Sequence, residues 1–134
     1  MNAAEAIRQG SSARAHGDRN TARAHYSEAA EIYRQEPNRL AYAHTIRHIA
    51  DMYLDDSKFE SARPLYEEAL EIYRSSLDSR VLDLANTIRP YAILNQAIGK
   101  LDAARQLWEE AKNLYASIRV GEGVAECEEN LSKL

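Results

Sequence analysis

The sequence predicts an all-α fold made of repeated helix pairs, and two observations lead to this prediction. Glycine and proline are scarce, with five and three residues in 134, so little of the chain is suited to loops. Ala, Glu, Arg, Leu and Tyr recur at spacings of three and four, which is typical of helices. The chain also repeats itself at intervals of about 40 residues. Together these features predict an α-solenoid of about three helix-turn-helix repeats.

The second helix of each unit shows the repeat most clearly. Residues 21–34 match residues 61–74 with nine identities in fourteen, and residues 61–74 match residues 103–116 with seven. The first helices repeat too, since residues 43–53 and 85–95 share five of eleven positions. Each unit therefore consists of two different helices. The predicted repeats span about 2–37, 38–79 and 80–120, followed by a capping helix over about 122–134.

Local signals at the unit boundaries divide the chain into seven predicted helices. Ser57 and Glu60 have the spacing of a capping box, in which both side chains satisfy backbone N–H groups at a helix start. Gly121 to Gly123 is a predicted break before the last helix, whose apolar residues, among them Cys127, recur at helical spacing. The predicted helices span about 2–16, 19–35, 38–54, 58–76, 80–97, 100–117 and 122–133.

Composition and charge bound the function classes. The length of 134 residues fits one domain, spanning 1–134, and the formal net charge of −4 gives no bulk attraction to nucleic acid or anionic membrane. The single cysteine cannot form an internal disulfide, which favours a cytoplasmic protein. No phosphate-binding glycine loop, nucleophile elbow or pair of catalytic carboxylates is found. We therefore expect neither an enzyme nor a cofactor.

The repeated core positions resemble those of the tetratricopeptide repeat family, in which small residues let the two helices of a unit approach and an aromatic residue fills the gap to the next unit. The middle repeat supplies Ile46, Ile49, Ala50 and Tyr53 on its first helix, then Ala62, Tyr66 and Ala69 on its second. The repeat length of about 42 residues is similar to that of the extended repeats of the kinesin light chain family. The resemblance implies that the solenoid is a right-handed α-α superhelix. It also implies a non-catalytic scaffold that binds a peptide or a partner protein.

The resemblance also implies where a ligand would bind, because the first helices of such repeats line the concave surface. Arg47 and Arg89 occupy equivalent positions one unit apart, so two guanidinium groups would face the groove. A mildly basic groove would suit an acidic peptide. The alternative is that both arginines are structural and pair with acidic residues of neighbouring helices. The predicted groove residues are His44, Arg47, His48, Asp51, Asn86, Arg89 and Ile93.

Two further functions stay open at this point. The first repeat has small or polar residues at its core positions, so its first helix could be completed by another copy in a self-assembling homo-oligomer. His44, His48 and Asp51 lie at i, i+4 and i+7 on one helix face, which is compatible with a metal- or small-ligand-binding accessory domain. The metal reading is the weaker one, since Arg47 lies between the histidines.

Overall fold

The computed structural model describes residues 2–134, and all the regular structure in this range is helical. The seven helices end within one residue of the predicted limits. They are α1 (Ala3–Ala15), α2 (Arg19–Gln35), α3 (Arg39–Asp55), α4 (Phe59–Ser75), α5 (Val81–Ala97), α6 (Leu101–Ser117) and α7 (Gly121–Ser132). The chain forms two compact parts, each longer than one repeat, which from here on are called the first unit (Met1–Ile72) and the second unit (Tyr73–Leu134). The boundary between them falls inside α4. None of these seven helices is both long and apolar enough to cross a membrane.

Close helix approach through small residues organises the first unit. A Cβ placed on Gly10 would lie 3.1 Å from the ring of Tyr26, so α1 and α2 are in contact at this point. Tyr26 and Tyr66 are buried in the predicted aromatic positions. The small residues at the equivalent positions are all inaccessible to solvent: Ala6, Ala22, Ala29, Ala50, Ala62 and Ala69. The predicted core pattern is confirmed at these positions, whereas Tyr53, which the pattern also includes, is only half-buried.

The second unit packs α5 against α6 and α6 against α7. Trp108 of α6 is fully buried, as the repeat predicts. A Cβ on Gly123 of α7 would lie 2.5 Å from the ring of Tyr115, a closer approach than any at Gly10. Cys127 is fully buried, and burial raises the pKa of its thiol to about 11, with the Glu126 carboxylate acting in the same direction. The last helix therefore covers α6, the role predicted for a cap.

Two predictions about helix ends are wrong. Ser57 does not begin a capping box: its φ is +57° and its backbone N–H donates to the carbonyl of Leu54, so it terminates α3 in the left-handed conformation. Gly17 and Gly99, which occupy the equivalent positions of the first and third repeats, have the same conformation with φ of +79° and +82°. The predicted break at Gly121–Gly123 is also misplaced, since α7 begins at Gly121.

Candidate functional site

Four of the predicted groove residues lie on α3, and contacts within the first unit orient them. We call His44, Arg47, His48 and Asp51 the α3 face. The His48 ring stacks on Tyr26 of α2, with centroids 5.6 Å apart and planes 13° from parallel. The exposed His44 ring packs edge-on against His48 at 4.6 Å. His48 of the predicted groove is therefore oriented by Tyr26, the core aromatic residue of the preceding helix.

Two nitrogen-bearing side chains approach the ring of His48. Its Nε2 lies 3.1 Å from Nε2 of His44 and 3.4 Å from Nη2 of Arg47. Burial, with the positive charge of Arg47 as the next cause, lowers the pKa of His48 to about 3. The His48 imidazole is consequently neutral at physiological pH. Its Nδ1 is buried and makes no hydrogen bond within the described chain.

Asp51 is held by a hydroxyl from the following helix. Tyr66 of α4 donates a hydrogen bond of 2.6 Å to Oδ1 of Asp51. Burial raises the pKa of Asp51, although the Tyr66 hydrogen bond acts in the opposite direction. The same contact occurs one repeat earlier, where the Tyr26 hydroxyl and Ser11 Oγ are 2.8 Å apart. Ser11 and Asp51 occupy equivalent positions of consecutive repeats, so the contact belongs to the repeat.

The three other predicted residues lie on α5 in the second unit, and we call Asn86, Arg89 and Ile93 the α5 face. The Tyr115 hydroxyl donates to Oδ1 of Asn86 at 2.6 Å. Arg89 donates from Nε and Nη2 to the two carboxylate oxygens of Glu126, at 2.5 and 2.8 Å. This pair is partly exposed, with 41% of the Arg89 side chain accessible. Arg89 therefore has the acidic partner on a neighbouring helix that the structural alternative foresaw.

Ile93 is half-buried and differs from its counterparts in chemistry. It occupies the position that Ser11 and Asp51 have in the other repeats. Unlike them, its aliphatic side chain cannot form a hydrogen bond. Trp108, which replaces the tyrosine of the other repeats, donates its Nε1–H to Gln96 at 3.2 Å instead. The α5 face thus combines an aliphatic residue with polar ones.

Sequence reasoning placed the aromatic residues in the core but did not predict which side chains form hydrogen bonds with their polar atoms. It also missed the pairing of Glu126 with Arg89 and the ion pair between Arg14 and Asp55, at 3.5 Å. The equivalence of Ser11 and Asp51 was visible in the repeat offset, whereas nothing in the sequence pairs Glu126 with Arg89. A row formed by Arg47 and Arg89 stays a prediction. Within residues 2–134 there is no group of three or more histidine, cysteine, aspartate or glutamate residues arranged to hold a metal ion.

Comparison with known proteins decides the family. The profile of the tetratricopeptide repeat family matches residues 2–75, more than half of the chain. The protein belongs to the tetratricopeptide repeat family. Among solved structures, the N-terminal domain of stress-induced protein-1 (STI-1) from C. elegans is similar, with 21% identity and a TM-score of 0.70. The match covers 94% of each chain, so this tetratricopeptide repeat protein shares its all-α fold. Curated proteins provide no match.

Proposed function

We propose that this tetratricopeptide repeat protein is a non-catalytic interaction module that binds an acidic peptide or an acidic segment of a partner protein. Each unit carries its own proposed contacts for such a ligand, the α3 face in the first unit and the α5 face in the second. Membership of the family supports the interaction role, because its repeats generally bind proteins or peptides. The observation that favours an acidic ligand is the arrangement at Arg89, whose guanidinium already binds a carboxylate through two hydrogen bonds.

Preorganisation of the polar side chains supports the choice of these two faces. Tyr66 holds Asp51, Tyr26 stacks on His48 and Tyr115 holds Asn86, each from a helix packed against the one that carries the polar residue. Side chains fixed before a ligand arrives lose less conformational entropy on binding. An acidic ligand at Arg89 would compete with Glu126 for the guanidinium.

A peptide selection tests the ligand class. A displayed peptide library is selected on the whole chain, and we expect enrichment of Asp and Glu in the bound sequences. Arg47→Gln and Arg89→Gln should each weaken the selected peptides, while Arg34→Gln should not. Arg34 is an exposed arginine of α2, paired with Glu31 of the same helix, and is the matched control for loss of one positive charge. Selected peptides without acidic residues, or equal losses in all three variants, would contradict the proposal.

Crosslinking tests the location. A photoreactive residue at position 44 or 93 should capture the selected peptide, because these positions lie on the two faces. The same residue at Ser27 of α2 or Asn113 of α6, which are exposed positions on the second helices, should not. Capture only from the second helices would place the ligand elsewhere on the molecule.

Self-association through the first repeat is the weaker candidate. The exposed positions of α1 carry alanine, serine and polar residues, and the large hydrophobic side chains with pronounced exposure in residues 2–134 all lie after Ile72. The helix suggested for pairing therefore offers little apolar surface to a second copy. Light scattering over a concentration series separates the two functions: the interaction module is expected to remain monomeric without its ligand.

A further inference from the structure

His44 and His48 form a pair whose geometry the interaction role does not explain. They lie one turn apart on α3, and their Nε2 atoms form a hydrogen bond of 3.1 Å, which an ion bound to both nitrogens would replace. The ring planes are 80° apart, so the imidazoles meet edge to face. Two nitrogens at this separation, each about 2.0–2.1 Å from a shared ion, subtend about 95–100° at that ion. This is an ordinary angle for two neighbouring ligands of one metal ion.

We propose that His44 and His48 chelate a late first-row divalent metal ion through their Nε2 atoms, with Cu²⁺ bound most tightly and solvent at the remaining positions. Imidazole is a preferred ligand of copper, nickel and zinc, and affinity rises toward copper along this series. The exposed ring of His44 gives the ion access from solvent. Two protein ligands are fewer than a structural metal site has, which is consistent with the lack of any group of three or more ligands in residues 2–134.

The surroundings of the pair set its affinity. Arg47 Nη2 makes a hydrogen bond of 3.4 Å to the His48 Nε2 that would bind the ion, so both the loss of this bond and the positive charge of Arg47 oppose binding. Asp51 is engaged by Tyr66, and Asp55 forms an ion pair with Arg14 of α1. Coordination through Nε2 also leaves the proton on Nδ1 of His48, a buried atom without a hydrogen-bond acceptor. We therefore expect a dissociation constant in the micromolar range.

Copper titration of the untagged full chain tests the proposal. Calorimetry with Cu²⁺ alone should show one equivalent bound, and the electron paramagnetic resonance spectrum should show coupling to nitrogen. His44→Gln removes one of the two proposed ligands and should weaken binding by at least about tenfold, since loss of even a supporting outer-shell group has an effect of this size. The chain has four histidines, so a variant carrying both His16→Gln and His25→Gln is the matched control, and it should bind as the wild type does. Because His44 is exposed and its described contacts are with His48 of the same helix, its replacement should change the melting temperature only slightly.

A second variant tests the proposal without removing either of the proposed metal ligands. Arg47→Gln removes the opposing charge and retains both histidines, so it should bind Cu²⁺ several-fold more tightly. Failure of the wild type to bind, equal binding by His44→Gln, or loss of binding in the His16 and His25 control would each overturn the proposal. An Arg47→Gln variant that binds no more tightly would overturn the placement of the ion at Nε2 of His48.

Discussion

The α3 and α5 faces begin from one sequence pattern and end in different environments. Both helices carry Ala-x-Thr-Ile-Arg, which ends at Arg47 in one and at Arg89 in the other. Arg47 lies against the imidazole of His48, whereas Arg89 binds the carboxylate of Glu126. The carboxylate beside Arg89 comes from α7, whereas Arg47 contacts the next residue of its own helix, so the shared pattern alone does not determine the electrostatics of the arginine.

The two faces nevertheless share one arrangement. A glycine on one helix lets a tyrosine of another helix pack closely against it, and this tyrosine orients a polar side chain. In the first unit Gly10 contacts Tyr26, which stacks on His48. In the second unit Gly123 contacts Tyr115, which donates to Asn86. The contact is tighter in the second unit, so its tyrosine has less room to move.

The largest expected effect comes from disturbing this tighter contact. Gly123→Ala would place a methyl group 2.5 Å from the Tyr115 ring and force α7 or Tyr115 to shift. We expect overpacking to exceed the gain in helix propensity and to lower the free energy of unfolding by about 2 kcal/mol. Urea denaturation measures the loss. Gly121→Ala in the same helix, where a Cβ would meet nothing within 4 Å, is the control and should be neutral or mildly stabilising.

A loss at Gly123 that merely equals the effect at Gly121 would mean that α7 adjusts freely. The difference between the tighter contact of Gly123 with Tyr115 and the looser contact of Gly10 with Tyr26 would then have no effect on the free energy of unfolding.

The hydrogen bonds made by Tyr66 and Tyr26 should differ in how much they contribute to the free energy of unfolding. Tyr66→Phe leaves a buried carboxylate at Asp51 without its donor, for which we expect a loss of about 2 kcal/mol at neutral pH. Tyr26→Phe removes a bond to the neutral, exposed Ser11 and should cost about 0.5–1 kcal/mol. Chemical denaturation of both variants provides the comparison.

The pH dependence of the Tyr66→Phe loss has a definite sign. Burial already raises the pKa of Asp51, and removal of the Tyr66 hydrogen bond raises this pKa further. An acid whose pKa is raised on folding destabilises the fold when ionised, and it ceases to do so as the pH falls through that raised pKa. The loss should therefore shrink in mildly acidic buffer. A loss that stays constant with pH would show that Asp51 is not the group affected.

The sequence was sufficient for the helices because their signals are local and repeated. Apolar periodicity and the capping side chain of Asp18, which accepts from the N–H of Thr21, depend on residues close in the chain. The pairing of Arg89 with Glu126 joins two different helices, and no spacing rule connects them. The stacking of His48 on Tyr26 depends in the same way on how α2 meets α3.

The error at Ser57 shows how a local signal can mislead. A serine three residues before a glutamate fits a helix start, yet the repeat offset aligns this serine with Gly17 and Gly99 at left-handed helix ends. The period of the repeat therefore carried more information at this position than the local motif did.

Replacement of this serine should stabilise the protein. Ser57→Gly relieves the cost of a left-handed conformation in a residue with a Cβ, and we expect a gain of about 1 kcal/mol. Gly99→Ser, the reciprocal change at the equivalent position, should cost a similar amount, since a Cβ there meets nothing within 4 Å and only the backbone matters. Thermal unfolding reports both shifts. A change of the same sign in the two variants would indicate that side-chain contacts, not φ, govern these turns.

The smallest expected effect tests whether Arg89 is structural or available to a ligand. A double-mutant cycle with Arg89→Gln and Glu126→Gln should give a coupling of at most about 1 kcal/mol, because the pair is partly exposed, and added salt should reduce it. If Arg89 serves the ligand, Glu126→Gln should also tighten an acidic peptide by removing its competitor. A measurable coupling without any gain in peptide affinity would assign Arg89 to the fold alone. Ligand recognition would then fall to the α3 face, where the Arg47 guanidinium lies 3.4 Å from a neutral imidazole.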